Sequence, residues 1–163
     1  MHPEEDRAED ELAIRTLIVG YSDAIMCRDA IAAASVFADD GVLHAFNGPV
    51  VAGRSAIEAA LARRTADGSD DGGGFGVQMT MTVGVRVEGD VAIARSHYLE
   101  TSRGRAPGVG RLSMGSMEDT LRRINGHWRI SHRRLKRVYV GDIDMPGKAT
   151  PRDLTAWLRL GAG

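Results

Sequence analysis

A chain of 163 residues, 43% hydrophobic and 26% charged, is long enough to bury one core without disulfides or metal, and its make-up is that of an ordinary globular protein. A formal charge of −1 supplies no basic field for a nucleic acid, and no apolar run reaches the ~20 residues of a membrane span. Cys27 is the only cysteine, which excludes an internal disulfide and suits a reducing compartment.

The first ten residues, MHPEEDRAED, are acidic, the reverse of a secretory leader, so a cytoplasmic location is expected. Over residues 4–27 the apolar side chains Leu12, Ile14, Leu17, Ile18, Tyr21, Ile25 and Met26 recur at three- and four-residue steps, which predicts an amphipathic helix. Glu4, Glu5, Asp6 and Glu9 crowd its start, where the helix dipole favours negative charge. An alanine-rich second helix is predicted over 30–38, ended by Asp39-Asp40-Gly41. Residues 42–46 then read as a short strand, Asn47-Gly48 as a tight turn and Val50-Val51 as the return. Ser55 with Glu58 predicts a capping box opening a helix over about 56–64.

The run DGSDDGGG at 67–74 has little to bury and reads as a loop. Four strands follow, over 75–88, 91–102, 111–124 and 128–140. Gly89-Asp90 and Asn125-Gly126 supply tight turns, and a Gly/Arg/Pro loop joins the middle pair, so neighbours should pair as an antiparallel meander. Thr150-Pro151-Arg152-Asp153 predicts the start of a short last helix. Helices first and strands last give an α+β class, a curved antiparallel sheet wrapped around the N-terminal helices. One domain is expected over 1–163, its core at about 12–140 and an extension at 141–163.

On this frame sit Tyr21 in the first helix, Phe37-Ala38-Asp39-Asp40 before a strand and Gly53-Arg54-Ser55-Ala56-Ile57 opening the next helix. The second half carries MEDTLRRINGHWRI, an Asp-bearing strand, a glycine turn and a tryptophan strand. In this order, from about Leu12 to Tyr139, the set resembles the SnoaL-like domain of the nuclear-transport-factor-2-like superfamily, related to scytalone dehydratase, ketosteroid isomerase and polyketide cyclases. The resemblance implies a cystatin-like cone whose first helix and sheet enclose one pocket. It does not select a reaction, since this superfold hosts isomerases, dehydratases, dehydrohalogenases, cyclases and non-enzymes. The family's dehydratases and dehydrochlorinases pair an Asp late in the first helix with a His on the following long strand. Counted from the shared motifs, those positions hold Met26 and Thr80, and the isomerase base position holds Ala45, beside His44. None of Met26, Thr80 and Ala45 abstracts a proton near neutral pH.

Strand parity sorts the remaining candidates. Ala92, Ala94, Ser96, Tyr98 and Glu100 share one face, which favours Ser96 and Tyr98 over His97 as pocket lining. Met117, Asp119 and Leu121 share a face, so Asp119 is expected to be buried, either as an ion-pair anchor or as an acid/base. Trp128, Ile130, His132 and Arg134 share a side by the same count. Trp128 then packs in the core against the pocket, and His132 reaches its mouth as a proton carrier or a hydrogen-bonded wall histidine. Tyr21 points inward, either toward ligand or as a core aromatic with a satisfied hydroxyl. The expected pocket is thus lined by Tyr21, Met26, Ala45, Thr80, Ser96, Tyr98, Met117, Asp119 and Trp128, with Tyr21, Asp119 and His132 as the catalytic candidates.

The five histidines have no metal-ligand spacing, no glycine loop precedes a helix to cradle phosphate, and Ser55 lacks a nucleophile-elbow setting. No metal and no cofactor are expected. Two functions follow. One is a cofactor-free lyase, isomerase or cyclase acting on a mostly apolar ring compound, polyketide- or steroid-like. The other is a non-catalytic small-molecule-binding or assembly protein on the same scaffold. The expected partners are a small apolar ligand and a second or third copy of the chain, since Val91, Ile93 and Leu99 on the outer sheet face need covering; no nucleic acid and no membrane are expected.

Overall fold

The computed structural model describes residues 3–46, 48–67, 76–103 and 106–147. Three helices, α1 (Pro3–Met26), α2 (Ala30–Ser35) and α3 (Arg54–Asp67), accompany six strands. These are β1 (Phe37–His44), β2 (Val50–Ala52), β3 (Gly76–Glu88), β4 (Val91–Arg103), β5 (Val109–Ile124) and β6 (His127–Asp144). They form one sheet in the order β2-β1-β6-β5-β4-β3, giving the α+β class with a curved sheet and the helices packed on it. The predicted helix at 150 and most of the 67–74 loop lie outside the described residues. Among the described residues no helix is long and apolar enough to cross a membrane.

Helix α1 buries Ile14, Ile18, Tyr21 and Ala24, the inward face that the three- and four-residue spacing dictates. It lies across β3, where Arg15 Nη1 donates to the Thr82 carbonyl at 2.7 Å. It ends where Arg28 adopts φ 58° and the Asp29 N–H returns to the Ala24 carbonyl at 2.9 Å, a left-handed stop that satisfies a terminal acceptor. Asp29 then caps α2, its carboxylate accepting from the Ala32 N–H at 2.8 Å.

Two helix boundaries differ from the sequence expectation. Helix α2 stops at Ser35 rather than at Ala38, because the Ile130 N–H takes the Val36 carbonyl at 2.8 Å and Phe37 enters the sheet opposite Ile130. Strand pairing and burial of the Phe37 ring override the helical preference of the alanines. Helix α3 starts at Arg54 rather than at Ala56. Gly53, at φ +91°, occupies the cap and accepts the Ile57 N–H at 2.9 Å, so Ser55 lies inside the first turn and is not the cap. The hairpin turn after β1 also forms one residue early: the Gly48 N–H bonds the Ala45 carbonyl at 2.8 Å, with Phe46 at φ 46°.

Strands β3 to β6 form the expected antiparallel meander, turned at Gly89 (φ 59°) and at Asn125-Gly126 (φ 50° and 80°). The sheet is not antiparallel throughout, since β1 runs parallel to β6, with Leu43 opposite Arg133. Within the β3–β6 meander three extra residues interrupt the ladders, Val83 on β3 and Ser131 and Val138 on β6, and the β1–β6 ladder shifts register between Phe37 and Val42. Each such bulge bends its strand and sharpens the local twist, which is how a long sheet curls around a helix. Ser131 also supplies a local bond, its hydroxyl donating to the Thr120 carbonyl at 3.0 Å.

The narrow end is closed by a polar clasp. Asp10 on α1 accepts from Arg123 Nη2 at 2.5 Å and from Trp128 Nε1 at 3.0 Å, and the Arg123 guanidinium lies 4.6 Å over the indole. The Arg123 hydrogen bond, against the opposing pull of burial, holds the Asp10 carboxyl below its ordinary 3.8. A carboxylate whose folded pKa is depressed stabilises the fold above its unfolded pKa, and that contribution disappears as pH falls through the folded value. Asp10→Asn is therefore expected to melt lower than wild type at neutral pH. The gap should close as pH falls below about 4, which thermal melts between pH 7 and pH 2 will measure.

Candidate functional site

The concave inner face of the sheet, covered by α1, holds the candidate site. Cross-strand partners arrange its side chains in layers from the narrow end to the open end. Trp128, opposite Arg123, belongs to the narrow end. Next come Ala92, Leu121 and Ile130, all buried, and then the layer of Ala94, Asp119 and Arg133.

This third layer is the most polar part of the core. Arg133 Nε and Nη2 reach the two oxygens of Asp119, each at 2.7 Å, and both side chains are 0% exposed. The guanidinium lies 4.3 Å over the Tyr21 ring and 5.8 Å from the Phe37 ring, while Tyr21 and Phe37 meet edge to face at 6.1 Å. Burial works against the arginine's charge, but the Asp119 carboxylate and the Tyr21 hydroxyl outweigh it and raise the Arg133 pKa. Asp119 is therefore an ion-pair anchor and Tyr21 part of its aromatic casing. Bidentate geometry of this kind holds both charges in place.

Toward the open end the wall becomes hydroxylated. Ser96 Oγ donates to Thr82 Oγ1 at 3.2 Å beside the buried Met117, and the Ser22 and Thr80 hydroxyls share a hydrogen bond of 2.6 Å. Thr80 faces Tyr98 across the β3–β4 ladder, and Tyr98 faces Gly115. Met26, half-buried, lies one helical turn beyond Ser22 on the same face. Ala45 and Phe46 pack against the core from the end of β1. The Phe46 ring is 6.0 Å from Tyr98 and carries the Arg137 guanidinium 4.0 Å above it. Gln78 and Ser113, both opposite Glu100, form the last layer.

Tyr21, Met26, Ala45, Thr80, Ser96, Tyr98, Met117 and Asp119 thus share the inner side, and Tyr98 lies inside where His97 lies out. Two residues fall elsewhere. Trp128 is eight residues along β5 from the Tyr98 layer, roughly 25 Å of strand, and its N–H is committed to Asp10. His132 sits on the outer face, because the extra residue at Ser131 inverts the alternation beyond it: Ile130 and Arg133 point in, His132 and Arg134 out. There the His132 ring meets that of His44 at 4.6 Å and a tilt of 55° and lines an open outer groove of about 700 Å³ with Arg95, Glu118 and Arg134. Burial, then the His44 and Arg134 charges, lower its pKa. Among the described residues no three His, Cys, Asp or Glu side chains are placed to hold a metal ion.

Sequence reasoning did not single out Arg133, Gln78, Phe46 or Arg137. Gln78 was within reach, since it alternates with Thr80 and Thr82; the arginines lie beyond bulges that shift the parity of β6.

The SnoaL-like domain model matches residues 6–134, and the chain belongs to that family. A solved Mycobacterium tuberculosis protein of unknown function is 29% identical, covering 84% of this chain and 76% of that one at a TM-score of 0.72. An NTF2-like protein with a cystatin-like fold from Novosphingobium aromaticivorans is 25% identical over 83% of this chain and 86% of its own, at 0.71. A hexachlorocyclohexane dehydrochlorinase, LinA type 2, is only 16% identical, yet 91% of this chain and 98% of that one align at 0.78, a likeness of fold alone. No curated protein matches the sequence.

Proposed function

We propose that this protein binds a mostly apolar, ring-containing small molecule on the inner face of its sheet and does not perform the acid–base chemistry of its enzymatic relatives. One observation carries the reading: the buried carboxylate, Asp119, has both oxygens taken by Arg133 at 2.7 Å. A carboxylate gripped through both oxygens by a buried guanidinium is oriented toward that partner and serves as an anchor of the wall. Counted from the shared motifs, Met26 and Thr80 stand at the positions of the family's dyad, the Thr80 hydroxyl bonds Ser22, and His132 lies outside. What lines the open end, Met26, Ala45, Phe46 and Tyr98 with a few hydroxyls, suits an apolar ring and a small number of orienting contacts. The outer face exposes Met79, Met81, Val91 and Ile93, which supports a homodimer or homotrimer.

A second reading, a cofactor-free lyase, isomerase or cyclase, rests on Glu100, a half-buried carboxylate on the Tyr98 face of β4. Thermal melts against a panel of steroid and aromatic polyketide-type compounds, followed by mass spectrometry of each stabilising compound after incubation, separate the two. Binding at a hundredfold excess over Kd is worth about 2.7 kcal/mol, a rise in Tm of about 5–11 °C for a chain of this size. We expect the compound back unchanged. A product that forms with wild type and not with Glu100→Gln establishes the enzyme instead.

A further inference from the structure

Three buried polar atoms at the open end of the inner face have no protein partner: Gln78 Oε1, the Tyr98 hydroxyl and Ser113 Oγ. Gln78 and Tyr98 are only 7% and 3% exposed, so bulk water does not serve them. They are also neighbours by register. Gln78 and Ser113 stand on either side of Glu100, and Tyr98 is two residues along β4 from it, on the same face. Diagonal positions of this kind lie about 7–8 Å apart at the backbone, within reach of a Tyr and a Gln side chain. Opposite Tyr98 stands Gly115. A Cβ there would collide with the Lys136 carbonyl, so β5 and β6 are drawn together and position 115 sets no side chain against the ring.

We propose that Gln78, Tyr98 and Ser113 form a hydrogen-bonding ledge that selects, among apolar ring compounds, those bearing oxygen on one edge: phenols, ring ketones and ring diols. The proposal rests on the ligand-binding reading above and deepens it. A buried donor or acceptor that the fold leaves unpaired is a standing cost, recovered when a ligand atom pairs with it. Hydroxyls accept and donate, and the amide oxygen accepts, so the ledge suits a ligand hydroxyl better than a purely accepting edge. In the deeper layers Ser96 and Thr82 pair with each other and Asp119 pairs with Arg133 Nε and Nη2, leaving Arg133 Nη1 without a partner. Three unpaired atoms at one end against a single deeper donor favour a ligand lying with its oxygenated edge on the ledge and its hydrocarbon edge toward Met117 and Leu135.

The test uses naphthalene, 2-naphthol and 2,3-dihydroxynaphthalene as probes, with affinities measured by calorimetry on wild type, Gln78→Met and Tyr98→Phe. In wild type the diol is expected to bind at least about 10-fold tighter than naphthalene, and each substitution should shrink that ratio about 3- to 10-fold. Tyr98→Phe removes only an unpaired buried hydroxyl, so without ligand that variant should melt no lower than wild type. A side chain with a merely structural hydrogen bond would melt lower. Equal affinity for naphthalene and the diol in wild type overturns the ledge and leaves the apolar pocket standing. If none of the three probes binds, the ligand-binding reading falls and takes the ledge with it.

Discussion

Replacing Arg133 with methionine is expected to destabilise the protein by roughly 3–5 kcal/mol. Methionine keeps much of the volume against Tyr21 and Phe37, whose rings lie 4.3 and 5.8 Å from the guanidinium. It leaves the Asp119 carboxylate, 0% exposed, with no counter-charge. Removing one member of a buried pair strands the other, and that is where the loss arises. For a chain of this size the drop corresponds to about 6–20 °C in Tm. Asp119→Leu should cost a comparable amount, for the mirror-image reason. The double variant Asp119→Leu with Arg133→Met should recover most of the loss, because the desolvation of both charges disappears together. Urea denaturation of the four proteins closes the cycle. Single losses below about 1 kcal/mol, the scale of a surface pair, would show that the two groups do not act as a buried unit.

Phe37→Ala is expected to cost about 3–5 kcal/mol as well, through packing rather than charge. The ring is fully buried, meets Tyr21 edge to face at 6.1 Å, and sits where β1 joins β6 opposite Ile130. Truncation removes contacts on three sides, and the neighbouring backbone cannot collapse into the space: a Cβ on Gly41 would already meet the Ala38 and Ile130 carbonyls at 2.9 and 3.1 Å. Phe37→Leu, which keeps most of the volume, should lose less than half as much. A guanidinium chloride midpoint for Phe37→Ala within error of the Phe37→Leu midpoint would exclude this account of the site.

Periodicity and turn chemistry made much of the fold legible. The three- and four-residue spacing of Ile14, Ile18 and Tyr21 defined the inward face of α1, and Asn125-Gly126 marked the β5–β6 turn because both residues accept positive φ. The alternation along β4 placed Tyr98 inside and His97 outside without any structure. Legibility ended where a tertiary partner competed with a local preference: the alanines before Phe37 favour helix, and the sheet claims Phe37. Within the site, Asp119 was legible as buried, but its partner was not. Arg133 and Arg134 are adjacent, and the choice between them depends on one extra residue whose only trace in the sequence is the polar run Ser131-His132-Arg133-Arg134.

That extra residue has a wider reach than its own hydrogen bond. Because side chains alternate with a period of two, a one-residue change of register transposes every side chain beyond it to the opposite face. With Ser131 present, β6 directs a guanidinium toward the ligand side and an imidazole toward the exterior. Paired without the bulge, the same sequence would set Ser131 opposite Thr120 and turn the His132 imidazole inward opposite Asp119, leaving the carboxylate without its arginine. A bulge formed or smoothed out within one strand, with no substitution anywhere, thus exchanges a wall built around a fixed ion pair for one bearing an imidazole, whereas deletion of Ser131 itself would keep Arg133 opposite Asp119. The placing of a bulge inside a strand, and not only replaced side chains, is a route by which such a scaffold can cross between holding a molecule and transforming it.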